Sequence, residues 1–418
     1  ERLGGNALSF VDQAEQDVLG PDEGVVEQAC FFLCQHENSA CTVGESFKHD
    51  HASFFCFASI PGGCSEHPSR FLAPMNLLRI VRRCASTPIV DYVNPIDALG
   101  LSQVAADLAR LEPLLSTSVE TGEGFLDDVT THLIKAGGKR LRPLLGIAAA
   151  TAGERPATMD DLMGAVSVEL VHLASLYHDD VMDEAEIRRN VESVNARYGN
   201  LIAIVAGDYL LARSAAIAAD LGTEIASVIA NTLALLTQGQ VSEVRTAFST
   251  ARTREDYNTA IGGKTAALMA TACRVGALTA GRSREEIEAL TTFGYSFGMM
   301  YQLRDDVLDV TATDGKLGKP AGQDLAEGIY TLPVLVALEE DGVGAELTSL
   351  LGKPLNDAER EAARLLVEQS SGIAATVTEA HRYLEEARTV VAGLPNAELA
   401  KGFVNLGSLL LSDLPALV

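Results

Sequence analysis

Two runs of carboxylates carry the chemistry of this sequence: Asp179-Asp180-Val181-Met182-Asp183 and Asp305-Asp306-Val307-Leu308-Asp309. Each closes a largely apolar stretch, Val166 to His178 in the first case and Phe297 to Leu303 in the second. On a helix, residues i and i+4 share a face, so Asp179 pairs with Asp183 and Asp305 with Asp309. Asp180 and Asp306 adjoin them. Carboxylates crowded at the end of a buried helix repel one another unless cations bridge them. An all-oxygen ligand set with open positions suits Mg²⁺ held jointly by protein and phosphate. One such run is a weak signal; two in the same helical setting are a strong one.

Basic side chains supply the complementary half. Gly137-Gly138-Lys139-Arg140-Leu141-Arg142-Pro143 puts Lys139 and Arg142 three residues apart at the start of a helix, where Pro143 is tolerated in the first turn. Arg188 and Arg189 follow the first acidic run, Lys264-Thr265 follows Gly262-Gly263, and Lys319 lies in the Gly/Pro-rich stretch 315–320. The chain holds 57 Asp and Glu against 32 Lys and Arg, a formal charge of −25. Cations gathered beside paired acids in so acidic a protein indicate a receptor for polyanions held partly through metal. The same balance argues against non-specific nucleic-acid binding, which needs clustered positive charge. Gly-Gly-Lys-Thr is not a nucleotide-binding loop: the first Gly of that motif would fall at Asn258, and no strand precedes it.

The elements that must position these groups are helical. Apolar residues recur at three- and four-residue spacing over 98–115, 123–136, 141–152, 158–178, 201–219, 222–246, 255–280, 284–310, 329–341, 356–385 and 395–412. Alternation of period two is scarce, and Gly and Pro punctuate the joints. The stretches 160–178 and 201–219 are apolar around most of their circumference, which predicts helices inside a bundle. The fold class is all-α. The apolar runs are broken by polar residues, so no transmembrane segment is expected.

Residues 1–74 differ in character. They hold five of the seven Cys and eight of the 13 Phe, but only three basic residues. Cys30, Cys34, Cys41, Cys56 and Cys64 match no common zinc spacing, and an odd number closes no disulfide set. Glu1, Asp12, Glu15 and Asp17 leave no apolar signal-peptide region. We expect a poorly ordered or spurious N-terminal extension over 1–74 and one helical catalytic domain over 75–418.

From about residue 97 to 410 the sequence resembles the trans-isoprenyl diphosphate synthase (polyprenyl synthetase) family. The resemblance rests on Gly137–Pro143, His178–Asn190 with the first acidic run, Gly207-Asp208-Tyr209-Leu210, Gly263-Lys264-Thr265, Gln302–Asp309 and Gly318–Leu325. It implies an antiparallel helical bundle around a deep central cavity, usually dimeric, and a prenyltransferase working in the cytoplasm. Asp179, Asp180, Asp183, Asp305, Asp306 and Asp309 would bind three Mg²⁺, with Mn²⁺ as a substitute. Arg188, Lys264, Thr265, Gln302 and Lys319 would hold an allylic prenyl diphosphate. Lys139, Arg142, His172 and Arg189 would hold isopentenyl diphosphate. The implied reaction is ionisation of the allylic C–O bond, attack by the isopentenyl double bond and loss of a proton. The implied catalytic set is Asp179, Asp180, Asp183, Lys264, Asp305 and Asp306.

The resemblance also bears on product length, because bulky groups before the first aspartate act as a floor for the growing chain. Ala174 and Ser175 stand where members with short products often carry aromatics, and Val171 and Val168 lie a turn deeper. Nothing there blocks a 15-carbon chain, so medium- to long-chain all-trans products are expected. A geranylgeranyl product, with the floor on another helix, and a non-catalytic subunit of a heteromeric synthase are the alternatives. A terpene cyclase would lack the isopentenyl-binding groups. Two departures stand out: Ile329 occupies a position that is Lys in many members, and the end Ser412–Val418 lacks the basic residues often found there. Transient membrane contact during product release is compatible with this reading.

Overall fold

The computed structural model describes residues 94–311 and 321–416, all within one compact unit spanning 89–418. The extension 1–74 and Lys319 lie outside the described residues. The described chain is a helical bundle, as the periodicity predicts: α1 Pro95–Leu99, α2 Ser102–Thr117, α3 Gly124–Lys135, α4 Leu141–Thr151 and α5 Met159–Met182. A two-residue hairpin, β1 Ile187–Arg188 and β2 Val191–Glu192, precedes α6 Val194–Tyr198, α7 Asn200–Leu221, α8 Thr223–Thr246 and α9 Arg254–Ile261. A single π-helical turn over Gly262–Ala266 leads into α10 Ala267–Thr279 and the long α11 Arg284–Thr311. The chain ends with α12 Gln323–Ala326, α13 Leu332–Leu338, α14 Val343–Leu350, α15 Asp357–Gln369, α16 Gly372–Val391 and α17 Ala397–Leu410.

The helices depart from the apolar spans at several points. Gly100 adopts φ 70° and caps α1, so the stretch from 98 to 115 breaks there. Gly262-Gly263 widens the helix over 255–280 into the π turn. Ser370-Ser371 splits 356–385, and α14 adds a helix that the apolar spacing did not reveal. The hairpin is too short to show alternation, and its turn residues Arg189 and Asn190 both take positive φ (54° and 62°), as the tightest hairpin turns require.

Helix α10 is the axis of the core. It packs against α4, α5, α8 and α11, and all but a few of its residues are buried. Its crossing with α4 is glycine on glycine: a Cβ on Gly276 would strike the Gly146 carbonyl. The longest helices meet around it, α5 against α7 and α11 against α16. Helix α7 is long and apolar enough by composition to cross a membrane, with a mean hydropathy of 1.6 over its best window, which the sequence reading did not anticipate. It also carries Asp208, Arg213 and Asp220, and one face is packed on α5. It is not a clear transmembrane segment.

Candidate active site

Helix α5 delivers the first acidic run. Thr158 and Asp161 form a reciprocal capping box at its start, and Asp183 caps its end, so Asp179 and Asp180 occupy the last turn. Asp305, Asp306 and Asp309 occupy the corresponding end of α11. A helix C-terminus carries partial negative charge, so carboxylates are disfavoured at both sites without a counter-cation. Burial adds to this: it pushes Asp179 up to about 6 and Asp306 up to about 8, and raises Asp180 and Asp183 as well.

Asp180, Asp305, Asp306 and Asp309 are nonetheless oriented. Arg188, on β1, donates through Nε at 2.7 Å to Asp180 Oδ1, with Nη2 at 2.6 Å from the same oxygen. Asp180 Oδ2 is buried without a partner. Asp306 Oδ2 accepts from the Tyr257 hydroxyl, and Oδ1 accepts from Gln302 Nε2 at 2.9 Å. Gln302 Oε1 accepts in turn from Thr265 Oγ1 at 3.0 Å, which ties the π turn to α11. Asp309 receives the backbone N–H of Asp324 at 3.3 Å. Arg304 Nη1 donates to Asp305 at 3.0 Å.

The π turn fixes Lys264. A Cβ on Gly263 would lie 2.6 Å from the Leu235 carbonyl, and one on Gly239 would lie 2.7 Å from the Lys264 nitrogen. Only glycine at both positions lets α8 approach so closely. Lys264 then reaches Glu243 of α8 and lines two adjoining spaces. One is an apolar cavity of about 490 Å³, walled by α5, α7 and α8, with Asp179 in its lining. The other is a polar pocket of about 180 Å³ that contains Gln302 and Asp306. Val171 and Ser175 line the apolar cavity, while Ala174 does not. Ala174 shares a fully buried face with Leu170, Leu173 and Tyr177.

A second cluster lies where α4, α5 and the hairpin meet. Arg189 donates through Nη1 to the carbonyls of Leu133 (3.0 Å) and Gly137, and its guanidinium lies against Gly138, where a Cβ would be 3.0 Å away. Arg142 has a buried Nε with no partner. His172 is held well below its ordinary pKa by burial and then by Arg142, Arg189, Arg140 and Arg188, so it is neutral. Lys139 is exposed on the adjoining loop. Beneath them the buried Arg140 bridges Glu112 (2.7 Å) and Glu169 (2.9 Å). Glu169, Glu243, Tyr257 and Arg252 were not singled out from sequence. No spacing marks them, because they come from different elements.

Among the described residues, no three His, Cys, Asp or Glu side chains gather as a self-contained metal cage. The oxygen-only donors, the orphaned Asp180 Oδ2 and the buried acids at two helix C-termini fit divalent cations whose remaining ligands come from a bound phosphate.

Residues 123–367 match the Polyprenyl synthetase family. The chain is 39% identical over 310 residues to nonaprenyl diphosphate synthase of Mycobacterium tuberculosis, covering 74% of this chain and 92% of that protein. It is 37% identical over 304 residues to heptaprenyl diphosphate synthase component 2 of Geobacillus stearothermophilus, covering 72% and 94%. A geranylgeranyl pyrophosphate synthase from Corynebacterium glutamicum, solved with calcium and isoprenyl diphosphate, superposes with a TM-score of 0.66 at 38% identity, over 75% of this chain and 97% of that one. The chain belongs to the polyprenyl synthetase family, and its class is prenyltransferase.

Proposed function

We propose that this chain condenses isopentenyl diphosphate with an allylic diphosphate to give all-trans polyprenyl diphosphates in the heptaprenyl-to-decaprenyl range. The observation that carries the reading is the junction at Lys264, where an apolar cavity of about 490 Å³ meets a polar, acid-lined pocket. An allylic substrate has those two halves. Val171 and Ser175 line the cavity without an aromatic floor, which supports long products over the geranylgeranyl alternative.

Asp179, Asp180, Asp183, Asp305, Asp306 and Asp309 would hold Mg²⁺, three ions per site with Mn²⁺ as a substitute, supplying charge neutralisation for the leaving diphosphate. Lys264 and Arg188, joined by Lys319, bind the same group, and Gln302 and Thr265 orient the second acidic run. Arg142, Arg189 and Lys139 bind the isopentenyl diphosphate, with neutral His172 as a hydrogen-bonding neighbour. The pyrophosphate stabilised in this way departs with the C–O electron pair, and the isopentenyl double bond attacks the resulting cation. The departing pyrophosphate takes up the proton lost from the new C–C unit. The apolar walls shield the cation from water.

A homodimer in the cytoplasm completes the reading. Leu201 and Val205 of α7 and Val241 and Val244 of α8 are each at least half exposed, a face that a second copy would cover. The kinship to a synthase component supports a heteromeric subunit as the second reading. Incorporation of labelled isopentenyl diphosphate by the purified chain alone, with Mg²⁺ and farnesyl diphosphate, tests the proposal. No incorporation until a partner protein is added would favour the subunit reading instead.

A further inference from the structure

Arg252 lies in the loop between α8 and α9, and only 6% of it is exposed. Its guanidinium is tethered at two points. Nη1 donates to the Tyr330 carbonyl at 3.0 Å, and the Tyr257 ring lies beneath it, 5.8 Å from Cζ to the centroid. Nε and Nη2 are buried and have no partner. A buried guanidinium with idle donors is costly, because those N–H groups lose water and gain nothing in return. Such a group therefore marks a place where a ligand supplies the missing acceptor.

The space beside it is the polar pocket of about 180 Å³ lined by Glu243, Arg252, Lys264, Gln302, Asp306 and Ile329. Its other groups are already engaged. Lys264 is paired with Glu243, and Asp306 accepts from Tyr257 and Gln302. Asp324, at the same pocket, donates its backbone N–H to Asp309. Arg252 shares the lining of this pocket with Ile329, the apolar side chain at a position that is Lys in many family members. A guanidinium presents its N–H groups as a planar fork, which matches the spacing of oxygens on a phosphate.

We infer that Arg252 is a diphosphate-binding residue of this chain, its Nε and Nη2 groups holding a non-bridging oxygen of the allylic diphosphate and supplying the positive charge that Ile329 lacks. The inference rests on the proposed function, since it assigns a ligand to the same site. It makes Arg252 a determinant of allylic-substrate affinity and leaves the isopentenyl site, built from Arg142, His172 and Arg189, untouched.

The test uses the full chain with Mg²⁺ and steady-state kinetics, varying each substrate against saturating levels of the other. Arg252→Gln keeps a donor for the Tyr330 carbonyl but removes the charge. It should raise the KM for farnesyl diphosphate by roughly tenfold to a hundredfold, and that for isopentenyl diphosphate by less than about threefold. Adding Ile329→Lys to that variant should recover most of the loss, which a residue that only props the loop would not allow. An unchanged allylic KM overturns the inference, as does a rise in both KM values that Ile329→Lys leaves in place. Should Arg252→Gln fail to fold, Arg252→Lys is read by the same criterion, a selective rise in allylic KM. Calorimetric binding of inorganic pyrophosphate with Mg²⁺ reads the site without turnover. An inactive wild type would then count against the proposed function alone, while equal pyrophosphate affinity in wild type and Arg252→Gln would overturn this inference.

Discussion

Arg188 grips a single oxygen of Asp180, through Nε at 2.7 Å and Nη2 at 2.6 Å, and leaves the other carboxylate oxygen buried and without a partner. The hairpin that carries Arg188 thus fixes one oxygen of Asp180 and leaves the other without a donor. Asp180→Asn keeps the shape but not the charge, and should lower kcat by about 10²–10³-fold. Arg188→Lys keeps the charge but loses the fork, and should give a smaller loss. Single-turnover rates on both variants check this; equal losses would show that the fork does not orient Asp180.

On the proposed function, the face of α5 that lines the cavity sets product length. Ser175→Phe places a ring in that space and should shorten the product, as should Val171→Phe. Ala174→Phe should act differently, because Ala174 is fully buried in the core: overpacking there costs about 1–3 kcal/mol of stability. Chromatography of the dephosphorylated products, beside thermal melts, separates the two effects. An unshortened product from Ser175→Phe would mean that the growing chain takes another route.

Much of this was legible beforehand. The helical class and the two acidic runs at helix ends follow from period and motif, because groups on one helix keep a fixed spacing. What escaped were residues acting across elements. Glu243 meets Lys264 from α8, Tyr257 meets Asp306 from α9, and Glu169 sits under Arg140, each contact set by tertiary packing that leaves no periodic trace. Ala174 and Ser175 are neighbours in sequence, yet one faces the core and the other the cavity. Helical rotation decides that, and composition does not.

The glycine contact between α8 and the π turn makes another prediction. Gly263→Ala would press a Cβ to within 2.6 Å of the Leu235 carbonyl, forcing the helices apart and moving Lys264. Stability should fall by about 1–3 kcal/mol and turnover should fall with it. Unfolding curves and the allylic KM check this together, and a variant with native stability and KM would show the contact to be slack.

His172 supplies a pH signature. Burial and the surrounding arginines hold its pKa well below 6.5, so the unfolded chain takes up a proton there before the folded one does. That term stabilises the fold above pH 6.5 and is lost as the pH falls through it, by at most about 1.4 kcal/mol per pH unit. His172→Gln should flatten the acid limb of the stability curve between about pH 7 and pH 5. Parallel limbs for variant and wild type would show that His172 titrates normally.

Sizing the products tests the central claim most directly. The purified chain is incubated with Mg²⁺, isopentenyl diphosphate and farnesyl diphosphate, and the dephosphorylated prenols are separated by length. Linear all-trans prenols in the heptaprenyl-to-decaprenyl range are the predicted result. A product that stops at geranylgeraniol, a cyclised hydrocarbon formed from the allylic substrate alone, or no elongation at all would contradict it.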